Sequence, residues 1–593
     1  MGAVRERTQE QPQTVRHRRG WPWVVAALLA VPLLLFCYLR IAGTTGVNAD
    51  AAGLVLQAND MLHGNLLLHG WWDTDVSFIT TELPEYMAVT AAAGIRPEVV
   101  HICAAVTYTL LVLLAAGVAR GRARGAEGAV RALLGAGIML APQPVWTTPV
   151  VLGSPDHVGT AVPLLLLLLL LDRAPPIRAR LRWYIPACFG VCVAAAAVLA
   201  AVTVGDPLAE VVGVVPLAIA CLLRAVRIVV VRLTTAWRAR TGGEPAPTVQ
   251  DAADRGALKS QRAQDSAADT SWRAACYHVL LAASAAAAVP LARAANSWIS
   301  RHGGYQLGPN RYGLLPWHQI VTNVPTVWQS FLALFGADYT GVTGWNVVIA
   351  LAHLIGVAIV IVAVAFAAWR LLVPGRAARA GDLDADFLVL AVVANILAFA
   401  AFVKPVNIYD AHEIGPVASF GAALAGRMLG GPLLRFRLPR RFRLPRRRRP
   451  VLLPELAAVL ACYAGFLGVG AAMPQGAPQH VVLANWLSQH SLRSGLASYW
   501  ESASVTVESR GKITMLAVGI HGWKRLLGPD AWETDVLLAD PATHSANFLV
   551  VGPDRIVPAK LAIQMFGKPA RTYQFAPYTI MVWNKNLIAE LNH

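Results

Sequence analysis

The chain has 593 residues, of which 56% are apolar and only 14% are charged. This composition excludes an ordinary soluble globular protein and indicates a membrane protein. The formal net charge of +17 would also fit a nucleic-acid binder. However, the arginines gather at the ends of apolar runs, where they are typical of topology signals that face anionic lipid. We therefore expect membrane lipids, and no nucleic acid, among the partners.

Eleven apolar runs approach the length that crosses a bilayer, for which roughly 20 apolar residues per helix are needed. They begin near Trp21, Val99, Ala132, Thr160, Trp183, Val211, Ala274, Trp345, Phe387, Gly415 and Val451. The first run follows a basic stretch, and since no clean small-residue cleavage site comes after it, we interpret it as a retained signal anchor. The pattern predicts a polytopic α-helical membrane protein with about eleven transmembrane helices.

The loops between these runs alternate between arginine-rich and arginine-poor segments. The arginine-rich segments follow the second, fourth, sixth, eighth and tenth runs, and lie at 120–131, 173–182, 224–240, 370–379 and 435–449. All five fall on the same side as the N-terminus. Since cytoplasmic loops carry the excess of arginine and lysine, we predict a multi-pass plasma-membrane protein with a cytoplasmic N-terminus and an extracellular C-terminus.

Two shifts in composition indicate the domain organisation. Residues 241–270 are polar and alanine-rich without an apolar period, which is typical of a disordered cytoplasmic insertion. After the transmembrane domain 1–472, residues 473–593 mix strand-like with helical segments and contain no cysteine. This predicts an extracellular α/β domain without disulfides. The strand-like segments are 504–507, 512–515, 547–551 and 578–583, and the helical ones are 481–492 and 558–565.

The outer loops hold most of the acidic, histidine and tryptophan residues, so we expect any chemistry on that side. The first outer loop, 41–97, is too long for a simple connector. Its segments 51–62 and 85–93 have a helical period, and we expect them to form amphipathic helices that lie along the membrane surface.

A resemblance to a known family arises from two of these loops. The first carries Asn48-Ala49-Asp50 and then the sequence LQANDMLHGN at 56–65, and the second carries GSPDHVGT at 153–160. With a carboxylate just beyond the first span, this plan resembles the GT-C superfamily of membrane glycosyltransferases. It looks like the actinobacterial type, which is related to protein O-mannosyltransferases and lipid A aminoarabinose transferases. The resemblance covers the membrane half of the chain.

This resemblance implies an enzyme that transfers a sugar, such as mannose or arabinose, from a polyprenyl-phosphate donor. The acceptor would be a glycan, a lipid or a protein on the outer face, and its hydroxyl would need a carboxylate base. Asp50 is the first candidate for this base, and Asp60, further along the same predicted helix, is the weaker one. The alternative for Asp50 is a helix-capping or solvated role.

Asp156 and His157 form a second candidate site, and Asp156 is the next choice for a catalytic carboxylate. Adjacent acidic and imidazole groups can bind a divalent cation or hold a phosphate. The pair departs from the Asp-x-Asp motif of metal-dependent oligosaccharyltransferases. We therefore expect either no cofactor or a weak dependence on Mg²⁺ or Mn²⁺. The alternative for Asp156 is a helix cap. Glu82 and Glu85, on either side of Pro84, are expected to orient the substrate.

The departing phosphate of such a reaction needs positive charge, which is scarce in the outer loops. Lys404, at the outer end of the ninth run, either binds the donor phosphate or snorkels to lipid phosphate. The other residues expected around the substrate are Arg301, His302 and Arg311 in the fourth outer loop, and His412 and Glu413 after Lys404.

Two other classes of protein remain open, a secondary transporter and a non-catalytic membrane scaffold for the C-terminal domain. Transporters place ionisable residues inside their spans and often contain internal repeats. The apolar runs of this chain are nearly free of carboxylates, and its two halves do not repeat. The pattern therefore favours an enzyme that acts at the membrane surface.

Overall fold

The computed structural model describes residues 21–154, 156–173, 181–240, 272–308, 313–373, 382–402, 408–435, 452–476, 479–521, 526–553 and 556–591. Arg311, Lys404 and the predicted insertion 241–270 lie outside these residues, so the predictions made for them stay predictions. Within the described ranges the chain is mostly helical, and a six-stranded sheet lies near the C-terminus.

A helix occurs at each of the eleven positions where an apolar run predicted one. In chain order, the described helices are α1 (Trp21–Ala42), α2 (Ala49–Leu62), α3 (Leu83–Ala93), α4 (Pro97–Arg120), α5 (Gly125–Met139), α6 (Thr147–Val151), α7 (Ala161–Arg173), α8 (Leu181–Gly205), α9 (Val215–Arg240), α10 (Trp272–Arg301), α11 (Trp317–Leu334), α12 (Trp345–Leu372), α13 (Leu383–Phe402), α14 (Pro416–Arg435), α15 (Leu452–Ala472), α16 (Gln479–Gln489), α17 (Tyr499–Glu508) and α18 (Ala559–Phe566). A π-helical turn, Glu210–Val214, leads into α9, and a 3₁₀ segment, Ile408–Ile414, precedes α14.

Eight described segments are long and apolar enough to cross a membrane. They are Pro97–Arg120, Tyr184–Gly205, Glu210–Thr234, Trp272–Arg301, Trp345–Leu372, Leu383–Phe402, Pro416–Arg435 and Pro454–Ala472. The other three predicted spans coincide with α1, α5 and α7. Helices α5 and α7 have only 15 and 13 residues, fewer than the roughly 20 that a bilayer core requires. The prediction of a polytopic α-helical membrane protein is confirmed.

A cluster of ion pairs joins several helices at one end of the bundle. The buried guanidinium of Arg427 on α14 lies 2.6 Å from Asp382 and 3.0 Å from both Asp172 and Asp384. Arg122, just beyond α4, lies 3.8 Å from the same Asp172. Because buried charges are tolerated when they are paired, the cluster fixes α7, α13 and α14 to one another. The helix ends predicted to be cytoplasmic therefore lie together.

The two predicted helices of the first outer loop are confirmed as α2 and α3. Between them, β1 (Trp71–Asp73) is the central strand of a small sheet with β2 (Gln306–Leu307) and β6 (Thr534–Asp535). Strand β1 runs parallel to β2, which comes from the fourth outer loop, and antiparallel to β6, which comes from the C-terminal region. This sheet hydrogen-bonds the C-terminal region to the outer loops.

The larger sheet lies in the C-terminal region. Its strands are β3 (Ser494–Ala497), β4 (Thr514–His521), β5 (Leu526–Pro529), β7 (Phe548–Val551), β8 (Arg571–Phe575) and β9 (Tyr578–Val582). They pair in the order β5-β4-β3-β7-β9-β8, with β3 parallel to both neighbours and the other pairs antiparallel. The predicted strands at 547–551 and 578–583 and the predicted helices at 481–492 and 558–565 are confirmed.

One strand prediction in this region is wrong, because residues 504–507 lie in α17. All four of these residues are buried, so the alternation of apolar and polar side chains does not separate a core face from a solvent face. The helix packs against β4 on one side and α2 on another. Its Ala503 and Val507 share a hydrophobic core with Val55 and Ala58 of α2.

Candidate active site

Asp50 lies in the first turn of α2, and the cap of this helix is Asn48. The Oδ1 atom of Asn48 accepts a hydrogen bond from the backbone N–H of Ala51 at 2.9 Å. Asp50 is partly buried and accepts a hydrogen bond from the hydroxyl of Tyr499. The dipole of α2 favours a negative carboxylate at this end. Neither a capping nor a solvated role describes Asp50, and it remains the candidate base.

Tyr499 lies at the start of α17, between two carboxyl groups. Its hydroxyl contacts Asp50 Oδ1 and lies 2.9 Å from Glu533 Oε2. Burial raises the pKa of Glu533 well above its ordinary value, and the charges of Asp50, Asp156 and Asp73 raise it further. Through these contacts, the C-terminal region becomes part of the site.

His157 is the centre of a second group of polar side chains. Its φ of 53° lies in the left-handed region that residues other than glycine rarely adopt. The imidazole Nδ1 lies 3.0 Å from Oδ2 of the buried Asp206, which also accepts a hydrogen bond from the hydroxyl of Thr160. Burial opposes a charged imidazole, but the carboxylates of Asp206 and Glu413 raise the pKa of His157 well above its ordinary value.

The 3₁₀ segment before α14 brings His412 and Glu413 to the other side of this imidazole. The rings of His157 and His412 stack with centroids 5.7 Å apart and planes inclined by 5°. Glu413 Oε2 lies 3.8 Å from His157 Nε2, and Glu413 Oε1 lies 3.9 Å from His412 Nε2. One candidate ligand atom from each of the three residues lies within 4.8 Å of the other two.

These three residues fit a divalent transition-metal ion. Two imidazoles and a carboxylate are a common donor set for such ions. Histidines that bind a metal usually donate their second N–H to a carboxylate, and His157 Nδ1 faces Asp206 in this way. Mg²⁺ prefers oxygen ligands, so the donor set resembles a zinc or iron site more than a site for Mg²⁺ or Mn²⁺. The expectation of a weak or absent metal dependence stays a prediction.

Asp156 belongs to the same group of side chains. Burial raises the pKa of Asp156 to about 6, while the charges of His157 and His412 lower it and those of Asp50 and Glu413 raise it. The charge of Asp50 thus acts on Asp156, although the two residues come from different outer loops. The structure thus brings together five of the predicted residues: Asp50, Asp156, His157, His412 and Glu413.

Glu82, at the start of α3, is buried against the loop that carries His157. It is 1% exposed, and a Cβ at Gly159 would lie 2.5 Å from its Oε1. The glycine therefore allows the loop to pack directly on the carboxyl group. Burial raises the pKa of Glu82 well above its ordinary value, and the charges of Asp206 and Asp156 add to this effect. Glu82 is therefore a buried neighbour of the site, and its role in orienting the substrate stays a prediction.

Glu85 and Asp60 hold other parts of the first outer loop. Glu85 accepts a hydrogen bond from the hydroxyl of Thr107 on α4 at 2.6 Å, and burial raises its pKa to about 7. Asp60 accepts hydrogen bonds from Asn65 Nδ2 at 2.8 Å and Trp71 Nε1 at 3.0 Å. Since Asp60 is ten positions after Asp50 in α2, roughly 15 Å separates them along the helix axis.

The predicted phosphate-binding residues are only partly described. Arg301 and His302 lie at the exposed end of α10, where each side chain contacts a backbone carbonyl of its own helix, at 3.0 Å and 2.7 Å. Arg311 and Lys404 lie outside the described residues. The assignment of these four residues to the donor phosphate stays a prediction.

Four residues of the site were not predicted from the sequence: Asp75, Asp206, Tyr499 and Glu533. Asp206 follows the last residue of α8, so an isolated carboxylate at the outer end of an apolar run was the available signal. Burial raises the pKa of Asp75, and the charges of Glu413 and Asp206 add to this while His157 opposes it. Tyr499 and Glu533 are too distant in sequence for any local pattern to place them beside Asp50.

No protein-family model and no curated protein matches the sequence. Among solved structures, the chain is similar to the Archaeoglobus fulgidus oligosaccharyltransferase tethered to an acceptor peptide, at 13% identity and a TM-score of 0.45, over 90% of this chain and 69% of that one. It is also similar to ArnT from Cupriavidus metallidurans bound to undecaprenyl phosphate, at 14% identity and a TM-score of 0.48, over 95% of this chain and 98% of that one. The activities and ligands in these descriptions belong to those proteins.

Proposed function

We propose that this chain is a membrane glycosyltransferase of the GT-C type, which moves a sugar from a polyprenyl-phosphate donor to an acceptor hydroxyl on the outer face of the membrane. The observation that supports this most is the meeting of Asp50, Asp156 and His157 with His412 and Glu413. The first three come from the two loops whose sequences resemble that family. The acceptor would be a glycan, a lipid or a protein.

The position of the site relative to the arginine-rich ends supports an outer location. Helix α7 begins just after His157, and Asp172 near its other end belongs to the Arg427 cluster. Its 13 residues span roughly 20 Å. If the arginine-rich end is cytoplasmic, the site faces outward. The proposal therefore includes a cytoplasmic N-terminus, a membrane domain at 1–472 and an extracellular domain at 473–593.

In the proposed reaction, the acceptor oxygen attacks the anomeric carbon and gives its proton to the carboxylate of Asp50. The bond between the anomeric carbon and the phosphate oxygen breaks, and its electron pair leaves with the polyprenyl phosphate. A positioned general base contributes on the order of a hundredfold to ten-thousandfold in rate. Asp156 is the alternative base, because it is buried in the same group of side chains.

The departing phosphate needs a positive environment. The imidazole of His157 can supply it as a cation, since two carboxylates stabilise its protonated form. A divalent ion held by His157, His412 and Glu413 would supply the same charge stabilisation as a Lewis acid. Arg301, Arg311 and Lys404 are the candidates for direct contacts with the phosphate oxygens. If a chelator lowers activity and an added divalent ion restores it, the metal supplies the charge. If a chelator has no effect, the imidazolium of His157 supplies it.

The test of the proposed function is a donor panel with the full chain in lipid nanodiscs. The donors are polyprenyl-phosphate mannose, polyprenyl-phosphate arabinose and the corresponding nucleotide sugars, and the readout is the release of polyprenyl phosphate or nucleotide by mass spectrometry. We expect turnover with a polyprenyl-phosphate sugar, and a strong loss of turnover in Asp50→Asn. Turnover with a nucleotide sugar, or with none of the lipid donors, would contradict the proposal.

A further inference from the structure

The hydroxyl of Tyr499 connects two carboxyl groups that come from different parts of the chain. Asp50 lies on α2, next to the first membrane helix, and Glu533 lies just before β6 in the C-terminal region. Tyr499 itself is buried at the start of α17, and its ring packs edge-on against Trp500 and Trp532. We refer to Asp50, Tyr499 and Glu533 as the tyrosine bridge.

The tyrosine bridge has two short contacts but only one hydroxyl hydrogen, which limits how many of its carboxyl groups can be ionised. A tyrosine hydroxyl has a single hydrogen to donate, yet its oxygen lies within hydrogen-bond distance of both Asp50 Oδ1 and Glu533 Oε2. If both carboxyl groups were ionised, one of them would face the hydroxyl oxygen without a hydrogen between them. One carboxyl group must therefore carry a proton and donate it to the tyrosine oxygen.

The surroundings of the two carboxyl groups indicate which one is neutral. Asp50 lies at a helix N-terminus, where the helix dipole stabilises a negative charge. Glu533 is 9% exposed, and it is buried near the carboxyl groups of Asp50, Asp156 and Asp73. Like charges in a buried site cannot all ionise. The resulting chain of donors runs from the Glu533 carboxyl to the Tyr499 oxygen, and from the Tyr499 hydroxyl to the Asp50 carboxylate.

Two features of the fold hold Glu533 in this place. A Cβ at Gly53, one turn after Asp50, would lie 2.8 Å from Glu533 Oε2, so the carboxyl group rests on a part of α2 that has no side chain. The following strand pairs with the first outer loop, where Thr534 is opposite Trp72 and Asp535 is opposite Trp71. The position of Glu533 is thereby fixed relative to α2 by backbone hydrogen bonds.

We propose that Tyr499 and neutral Glu533 are positioning residues for Asp50, and that the C-terminal region thereby completes the active site. This inference rests on the proposed function, in which Asp50 is the base. The bridge orients the carboxylate through Oδ1. Oδ2 accepts a long hydrogen bond from Asn48 Nδ2 at 3.4 Å and has a second lone pair for the acceptor hydroxyl. In this role Glu533 is a protonated hydrogen-bond donor and does not act as an anion. The C-terminal region then contributes to the reaction, beyond any part in acceptor binding.

The donor role of Glu533 makes a prediction that separates it from a charged role. The amide of Gln is a donor of similar size, so Glu533→Gln should retain transfer to within about threefold of the wild type, whereas Glu533→Leu and Tyr499→Phe should each lose about tenfold to a hundredfold. For Tyr499→Phe this corresponds to one hydrogen bond to the charged Asp50, whereas Glu533→Leu removes the donor that orients the tyrosine hydroxyl toward Asp50. Tyr573→Phe, in the same region, is the matched control and should retain full transfer. The assay is the nanodisc transfer reaction with the active polyprenyl-phosphate donor.

The pH profile and an infrared spectrum complete the test. Ionisation of Glu533 would break the bridge, so wild-type transfer should fall at alkaline pH, and Glu533→Gln should lack this fall. The infrared spectrum of the wild type at neutral pH should contain a protonated-carboxyl band that Glu533→Gln lacks and that Tyr499→Phe shifts to higher frequency. Loss of transfer in Glu533→Gln equal to that in Glu533→Leu, or an unchanged carboxyl band, would overturn the inference. If no donor supports transfer, the proposed function fails, and the infrared result still decides the protonation of the bridge.

Discussion

Asp50 and Glu533 are two carboxyl groups a single hydroxyl apart, and their surroundings favour a negative Asp50 and a neutral Glu533. The first lies at the N-terminus of α2, and the second is buried near other carboxyl groups. Pairs of titratable groups whose environments separate their protonation states are typical of acid and base sites. At the scale of single residues, this difference is the main argument that Asp50 is the base.

A second residue-scale prediction concerns Asp206, which orients His157 through Nδ1. Carboxylates in this position usually raise metal affinity by about tenfold to a hundredfold. We expect Asp206→Asn to weaken binding of Zn²⁺ to the full chain by a similar factor in isothermal titration calorimetry. Asp60→Asn is the control, since Asp60 contacts Asn65 and Trp71 instead. The Asp60→Asn variant should bind Zn²⁺ with the affinity of the wild type. Equal affinities of Asp206→Asn and the wild type would contradict the metal site.

The sequence predicts as site candidates the ionisable residues that stand out from an apolar background. Asp50, Asp156, His157, His412 and Glu413 are such residues in outer loops, and the structure brings them into one group. The partners of these residues were not predictable in the same way. Tyr499 is one of three tyrosines and Glu533 is one of four glutamates at 473–593. No local pattern distinguishes them from the others, and only tertiary packing selects them.

At the scale of elements, the close contact between α2 and Glu533 can be tested with a glycine substitution. Alanine is favoured over glycine inside a helix by roughly 1 kcal/mol, so propensity alone predicts that Gly53→Ala is harmless. Because the new Cβ would lie 2.8 Å from Glu533 Oε2, we expect the protein to fold but transfer to fall by up to about tenfold, through loss of the neutral hydrogen bond between Glu533 and Tyr499.

The control for this substitution is Gly465→Ala on α15, where an added Cβ meets no atom within 4 Å. We expect this variant to be fully active. The measurements are the transfer rate and the melting temperature of each variant in nanodiscs. Full activity of Gly53→Ala would mean that Glu533 can shift without affecting Asp50.

The junction between α17 and α4 predicts a dependence of stability on pH. Burial raises the pKa of Glu508 to about 7, and the charge of Glu98 contributes. Since the folded state binds this proton more tightly than the unfolded chain, the stabilisation is present below about pH 4.5 and is lost as the pH rises through about 7. We expect Glu508→Gln to melt at a higher temperature than the wild type at pH 8, and this difference to vanish near pH 4.

A surface carboxylate of the same region provides the comparison for Glu508. Glu590 forms an ion pair with Lys585 at 2.5 Å, and exposed pairs contribute little to stability. Glu590→Gln should therefore leave the difference in melting temperature between pH 4 and pH 8 unchanged. If the melting temperatures of the wild type and Glu508→Gln depended on pH in the same way, Glu508 would not titrate in this range.

Element positions were predictable where a periodic apolar pattern was long. All eleven apolar runs and both helices of the first outer loop correspond to described helices. The predicted strand at 504–507 is wrong for a physical reason. All four residues are buried in α17, so the alternation of apolar and polar side chains does not indicate a strand. Helix α11 was not predicted either, because its 18 residues include Pro325 and mix polar with apolar side chains.

At the scale of the whole molecule, the Arg427 cluster lies at one end of α7 and the candidate site around His157 lies at the other. This arrangement predicts that the C-terminal region and residues 241–270 are on opposite sides of the membrane. In a background without the native cysteines, Thr543→Cys should react with an impermeant thiol reagent in intact cells, whereas Ser260→Cys should react only after lysis. The reverse labelling pattern would place the site in the cytoplasm and contradict the proposed donor.

The proposed reaction depends above all on the negative charge of Asp50. Asn retains the shape of the side chain and can still accept the hydrogen bond from Tyr499, so Asp50→Asn should fold and insert as the wild type does. Without the carboxylate, the acceptor proton has no base, and this step should slow by about a hundredfold to ten-thousandfold.

The most direct measurement is single-turnover transfer from the active polyprenyl-phosphate donor by wild type and Asp50→Asn in nanodiscs, with Asp60→Asn as the folded control. We expect the full loss of rate in Asp50→Asn with unchanged donor affinity, and a rate within about tenfold of wild type in Asp60→Asn, which removes no proposed base. A rate for Asp50→Asn close to that of the wild type would show that Asp50 is not the base, which would then have to be sought at Asp156.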